Sequence, residues 1–262
     1  RKDLYSTAYA ELLHKLIGPN FQMIEHFRPK GESLPESVLE EFTCVRTLLT
    51  TPNEFSSPLT AHDTGHKVDC GQSGLIQEFK QRSLESFDIV PQPKSRLIDQ
   101  STTRKLRVTF LVRRQFQQRK DVSRIIANEQ DVIDVLTDEE FFEGSPDVCN
   151  FGEETWTMRK QMEQMQRTDI LVGFHGGQLT GVMWLPKGAL VIEIMEKDRG
   201  HYMYETMALY TGVNHRTFRI QTAMSEERRG VGYTVPAAEI KRELSDAIAS
   251  VRETGATIGV NL

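Results

Sequence analysis

The residues best suited to chemistry stand in one run, Asp169-Ile170-Leu171-Val172-Gly173-Phe174-His175-Gly176-Gly177-Gln178-Leu179-Thr180-Gly181. A short apolar strand feeds directly into His-Gly-Gly, and residues 179–184 can open a helix. In an open parallel sheet, ligands bind beyond the carboxyl ends of the strands. Glycines there let backbone approach a phosphate closely, and the N–H groups of a helix start supply donors. His175 adds a polarisable donor and Thr180 a hydroxyl. The same residues also make a tight strand-to-helix turn around a histidine satisfied by its neighbours, and composition alone leaves both readings open.

A second group, Arg113, Arg114, Arg119, Lys120 and Arg124, follows the apolar run 106–112. Arginine forks match diphosphate oxygens in a bidentate way that lysine cannot, although a solvated basic loop has the same composition. Glu193 lies within the run 190–194, and a carboxylate in a buried strand is costly unless paired. Ribose hydroxyls or a salt bridge would pair it equally well. His62, Asp63, His66 and Asp69 share one loop and offer a general base, a metal set or simply a polar surface; their spacing fits no metal motif. Cys44, Cys70 and Cys149 form no Cys-x-x-Cys, and Cys44 with Cys70 are either one disulfide or two buried thiols. No Gly-x-Ser-x-Gly and no Gly-Lys-Ser/Thr occurs, which disfavours hydrolase and P-loop chemistry.

The elements that must position these residues follow from periodicity. Helices are predicted over 5–17, 75–87, 128–136, 151–165, 202–210 and 237–251, and strands over 42–49, 106–112, 170–174, 189–194 and 214–220. Residues 28–35 and 50–69 read as loops. The prolines in Val90-Pro91-Gln92-Pro93-Lys94-Ser95 mark a linker reaching residue 105. Strands alternating with helices after that linker predict an α/β lobe with a parallel sheet covered on both faces.

Bulk properties agree. The 262 residues are 38% hydrophobic and 26% charged, enough for a real core and against wholesale disorder. With 32 Lys plus Arg against 37 Asp plus Glu, the net charge of −5 speaks against a general nucleic-acid partner. The strongest apolar runs, 170–174 and 189–194, are strand-sized and well short of the ~18 residues of a membrane span.

The string Thr168-Asp-Ile-Leu-Val-Gly-Phe-His-Gly-Gly-Gln-Leu-Thr-Gly-Val-Met-Trp-Leu-Pro-Lys-Gly-Ala-Leu-Val-Ile-Glu-Ile194 resembles the signature of glycosyltransferase family 61. That signature runs Asp, an apolar strand, Gly-x-His-Gly-Ala-Gly-Leu-Thr-Asn, then Phe-Leu-Pro-x-Gly-Ala-x-Val-Ile-Glu. Residues 106–113 followed by Arg124-Ile-Ile-Ala-Asn-Glu129 resemble its preceding strand and Arg-x-Ile-Leu-Asn-Glu, and Cys70-Gly-Gln-Ser-Gly-Leu-Ile-Gln-Glu-Phe79 its pre-linker segment. The likeness spans roughly residues 40–220, through Gly212-Val-Asn-His215. Gly177 and Gln178 replace the commoner Ala-Gly, and Gly181 stands where Asn or His is usual.

The resemblance implies an inverting enzyme of two Rossmann-like lobes (the GT-B architecture) that uses a UDP-sugar donor and no metal. On that pattern residues 1–89 are part of an N-terminal, acceptor-side lobe, 90–105 the linker and 106–262 the nucleotide-sugar-binding lobe. Arg113 and Arg124 would neutralise the donor diphosphate. About five inserted residues between them make Arg114 and Arg119 alternatives. His175, Gly176 and Gly177 would contact phosphate or sugar with Gln178, Leu179 and Thr180 beside them, and Glu193 would lie near the nucleoside. Inversion requires a general base, which the resemblance does not assign; His66 and Asp69, in the loop before the linker, are the residues expected for it. The implied partners are a nucleotide-sugar, donating N-acetylglucosamine or a pentose, and a protein or glycan hydroxyl. The implied setting is the lumen of the secretory pathway (Golgi or endoplasmic reticulum), with membrane attachment only through an anchor outside this chain. Two rivals are a catalytically inactive binding or scaffolding protein on the same fold and a dinucleotide-binding Rossmann protein. The lack of Gly-x-Gly-x-x-Gly after the strand counts against the second.

Overall fold

Two uniform apolar runs, ILVGF and LVIEIME, supply the centre of the sheet, since strands buried on both faces need no polar alternation. The computed structural model describes residues 11, 12, 15, 16, 73–99, 104–114, 124–137, 140–197, 202–221 and 232–254. In chain order the elements are α1 (Gly74–Ser86), β1 (Val108–Leu111), α2 (Glu129–Val135), β2 (Asp147–Cys149), α3 (Met158–Gln166) and β3 (Ile170–Phe174). A 3-10 helix (Gly177–Trp184), β4 (Leu190–Glu196), α4 (Met203–Thr211), β5 (Asn214–Ile220) and α5 (Ala237–Thr254) follow. Residues 11, 12, 15 and 16 are helical, within the helix expected over 5–17. The strand expected over 42–49, the loop over 50–69 and both Cys44 and Cys70 lie outside the described residues.

All five strands are parallel, in the order β2-β1-β3-β4-β5. The chain starts at β1, steps outward to β2, then returns across β1 to build β3, β4 and β5 on the other side. The strand order therefore reverses between β1 and β3, and such a switch point opens a crevice beyond the carboxyl ends of those two strands. One face of the sheet packs on α2 and α5 through Val132, Leu136, Ile240, Leu244, Ile248 and Val251. The other packs on α1, α3, the 3-10 helix and α4 through Leu84, Met162, Met165, Trp184 and Met207. The sheet is thus covered on both faces, as the alternation of elements predicts.

The structure departs from the sequence reading most clearly at α3, β2 and β4. The helix expected over 151–165 begins only at Met158, because the side chain of Thr157 accepts from Lys160 N at 3.4 Å and caps it there. Residues 151–157 form turns instead. Strand β2 had no counterpart among the predicted elements: it is a three-residue edge strand with Asp147 and Val148 exposed. Strand β4 runs two residues past 194 and takes in Glu196.

The proline-rich segment is bound to the α/β body. Asp169, 1% exposed, accepts from Ser95 Oγ (2.8 Å), Arg96 N (2.8 Å) and Arg107 N (3.0 Å). One carboxylate thus ties residues 95–96 to the entrances of β1 and β3.

Candidate active site

The switch point lies beyond the carboxyl ends of β1 and β3. Parallel-strand register aligns Gly173 with Glu193 and Glu193 with Thr217, so the three share one face. Gly173 has no side chain to stand over that place, and a Cβ on it would lie 3.1 Å from Leu111 Cβ and 3.3 Å from Leu179 Cδ2. Leu179 is fully buried there. Its side chain packs the turn down onto the sheet, so any contact it makes with a ligand comes through backbone.

The ladder carries His175 one step beyond β3, with its N–H on Ile194 O at 2.8 Å. The His175 ring stands edge-on to Tyr204 of α4, centroids 5.3 Å apart. Its Nδ1 meets Glu193 Oε1, while the other carboxylate oxygen, Oε2, is 2.8 Å from His215 Nε2 on β5. Burial pushes the Glu193 carboxyl up, but the hydrogen bonds from His175 and His215 pull it down further. The net result lies below the ordinary carboxylate value, so Glu193 is ionised. Of the two pairings left open for Glu193, the structure displays the one with side-chain partners of the chain itself.

Gly176 follows with φ 153° and ψ 175°, a backbone that L-residues rarely adopt. A Cβ at this position would sit 3.1 Å from Arg113 Nη1 and 3.2 Å from its Cζ. Arg113, two residues past the end of β1, therefore lays its guanidinium against the bare backbone of the turn. Beyond it the 3-10 helix begins at Gly177, and the first N–H groups of such a helix have no intrahelical acceptor. Gln178 anchors that start: its Oε1 accepts from Phe151 N (3.1 Å) and its Nε2 donates to Asn150 Oδ1 (3.0 Å) at the end of β2. Thr180 Oγ1 donates to Gly177 O at 2.8 Å.

Arg124 reaches the same turn from the opposite face of the sheet. Its Nη1 donates to His175 O (2.9 Å) and its Nε to the buried Glu196 Oε1 (3.2 Å). Its backbone holds φ 64°, an uncommon conformation for a residue with a Cβ. These contacts brace the His-Gly-Gly turn. Arg114 is drawn away to Glu129 Oε1 (2.5 Å) at the start of α2.

The structure thus brings together Arg113, Arg124, His175, Gly176, Gly177 and Glu193, with Gln178, Leu179 and Thr180 on the adjoining helix. His62, Asp63, His66, Asp69 and Arg119 lie outside the described residues. Sequence reasoning gave no role to His215, Asn150 or Glu196. A polar residue at alternating positions of a buried strand was the available signal for Glu196 and His215. Their partners depend on strand order, which one sequence does not carry. Among the described residues no group of three or more His, Cys, Asp or Glu is arranged to hold a metal ion. No described helix is long and apolar enough to cross a membrane.

Comparison with known proteins bears on this site. Residues 8–192 match the family model described as Glycosyltransferase 61. The EGF domain-specific O-linked N-acetylglucosamine transferase of Drosophila melanogaster is 28% identical over 149 residues, covering 57% of this chain and 25% of the relative. The protein of the same name from Xenopus laevis is 26% identical over 164 residues (63% and 27%), and that from Pan troglodytes 28% identical over 164 (62% and 28%). The chain spans about a quarter of the length of these relatives.

Proposed function

The chain belongs to the glycosyltransferase 61 family, and on that premise we propose that it transfers a sugar from a UDP-sugar donor to a hydroxyl group of a protein or glycan, with inversion. The names of its relatives favour N-acetylglucosamine over a pentose as the sugar, and an EGF domain as the acceptor. In this reading the described α/β body is the donor lobe of a GT-B enzyme, and the secretory lumen is the setting.

The observation that carries the reading is the pairing of Arg113 with the bare backbone of Gly176 at the switch point of the sheet. A cradle that a Cβ would fill, a guanidinium against it and a helix start beyond it make a fitting bed for a diphosphate. In glycosyl transfer, negative charge builds on the departing nucleoside diphosphate, and preorganised donors aimed at that charge lower the barrier. Arg113 and the turn's N–H groups would supply them, with His175 beside them. Arg124 serves the same site indirectly by fixing the carbonyl of His175. Inversion also needs a base to take the proton of the acceptor hydroxyl, for which His66 and Asp69 are the candidates.

The test is a calorimetric titration of UDP and UDP-N-acetylglucosamine into the protein and its Arg113→Ala and His175→Ala variants. Each substitution is expected to weaken UDP binding at least about tenfold, roughly 1.4 kcal/mol. Affinities unchanged in both variants would remove the site from this place.

A further inference from the structure

Cationic side chains also gather at the other end of the sheet. A cavity of about 780 Å³ opens there, and Lys94, Arg96, Arg104, Arg107 and Arg167 stand in its lining. Arg107 immediately precedes β1, and Arg167 caps α3 just ahead of β3, so both mark the amino ends of strands. The five residues of β3 put roughly 17 Å between this cavity and the His175–Gly176 turn. One wall is fixed in place: Gln92 N donates to Gln166 Oε1 (2.6 Å) and Ser95 N to Lys187 O (2.8 Å), which holds the proline-rich segment against the body.

The carboxylates of the lining do not use these cations up. Asp99 pairs with Lys94 at 2.8 Å, and Glu163 with Arg159, outside the lining, at 2.9 Å. The Asp169 oxygens accept from Ser95 Oγ and from the backbone of Arg96 and Arg107. Arg107 Nε is left 3.6 Å from Asp169 Oδ2, buried and without a hydrogen-bond acceptor among the described residues. Arg167 stands at the carbonyl end of α3, a place that suits a cation, yet its Nη2 donates to the neutral side-chain oxygen of Gln164 at 2.8 Å. A guanidinium carries five N–H donors in a fixed fork, so most of those of Arg107 and Arg167 are not spent on the described chain.

We propose that this cavity is a second anion site, for a ligand that carries two or more carboxylates on an aliphatic frame. Carboxylate is the anion this array already engages, through Asp169 beside Arg96 and Arg107 and through Glu143 on Arg96, and arginine forks grip it bidentately. The frame is aliphatic because Ile89, Val90, Pro93 and Pro186 supply the apolar lining. No aromatic ring among the described lining residues offers a face to a nucleobase, which separates this ligand from a nucleotide. The carboxylates come from a free polycarboxylate or from an acidic stretch of peptide. Once bound, they bridge residues 94–96 to the strand entrances at Arg107 and Arg167. The proposal does not depend on the donor-site reading.

Citrate and a hexaglutamate peptide are the probes, titrated by calorimetry at low salt, where screening is weak. Citrate is expected to bind with a Kd below about 1 mM and to slow amide hydrogen exchange in residues 94–99 and 104–107. Arg107→Gln and Arg167→Gln are each expected to weaken it about tenfold or more. Val90→Glu sets a like charge on an 80% exposed position of the rim and is expected to weaken it several-fold without disturbing the core. Arg113→Ala, at the opposite end of the sheet, is expected to leave citrate affinity unchanged. Melting curves beside each titration identify the folded variants, and Arg167→Gln and Val90→Glu decide the matter if Arg107→Gln unfolds. Hexaglutamate that binds and is displaced by citrate makes peptide the source of the carboxylates; citrate binding without hexaglutamate binding makes it a free polycarboxylate. A citrate Kd above about 1 mM, unchanged affinity in folded Arg167→Gln and Val90→Glu, or affinity lost in Arg113→Ala overturns the proposal.

Discussion

At the scale of single residues, Gly176 joins an unusual backbone conformation to a close approach by Arg113. Its φ of 153° and the Arg113 guanidinium 3.1 Å from a would-be Cβ mean that Gly176→Ala must move either the turn or the arginine. This substitution is expected to weaken UDP binding about tenfold or more with little loss of the folded state, read from calorimetry beside a melting curve. Cys149 makes a contrasting case. Burial and then the charge of Asp147 push its thiol up to about 12, so the thiolate needed for alkylation is scarce at neutral pH. Cys149 should resist iodoacetamide at pH 8 in the native protein and react once urea unfolds it, a difference that peptide mass mapping reads directly. Residue identities were also the most legible layer of the sequence. His175, Gly176 and Arg113 were all visible as chemistry-bearing types after apolar runs. What could not be read was the second partner of Glu193, because His215 reaches it only through the adjacency of β4 and β5.

At the scale of elements, the runs of β3 and β4 were legible because strands buried on both faces are mostly apolar, with only Glu193 and Glu196 of β4 interrupting the run. The edge strand β2 was not, since three residues with two exposed leave no period to detect. The start of α3 was misplaced for a different reason. Trp156 and Phe151 continue the apolar spacing, yet they pack as a tilted ring pair 5.0 Å apart ahead of the helix, and the Thr157 cap sets the true boundary. Asp169 carries the clearest prediction at this scale. It holds three donors from two separate segments, so Asp169→Ala leaves buried N–H groups without an acceptor, each costing about 1–3 kcal/mol. A loss of about 3 kcal/mol in urea unfolding is expected, against about 1 kcal/mol for Ser95→Ala, which removes one hydrogen bond of the set.

At the scale of the whole molecule, two buried titratable groups shape the dependence of stability on pH. Lys80 on α1 donates to Leu185 O from a buried position, and burial lowers its ammonium from 10.5 to about 8. Between about 8 and the ordinary lysine value near 10.4, the unfolded chain binds more protons than the folded one. Stability is therefore expected to rise with pH across that window, and Lys80→Met to abolish the rise in urea titrations at pH 7, 9 and 10. Glu193 acts at the other end. Its folded value is depressed, so its contribution is whole above the ordinary carboxylate range and disappears as pH falls through the folded value; Glu193→Gln should flatten that acid limb. Over the whole fold, the chain order of strands places the switch point between β1 and β3, and Arg113 and the turn at His175 and Gly176, proposed above to hold the donor diphosphate, lie beyond it. The central claim is that UDP sits there, and hydrogen exchange of backbone amides with and without UDP tests it most directly. The account predicts new protection at residues 112–114 and 175–180, with the amino ends of the strands unchanged. Protection confined to residues 94–99 and 104–107, at those amino ends, would contradict it.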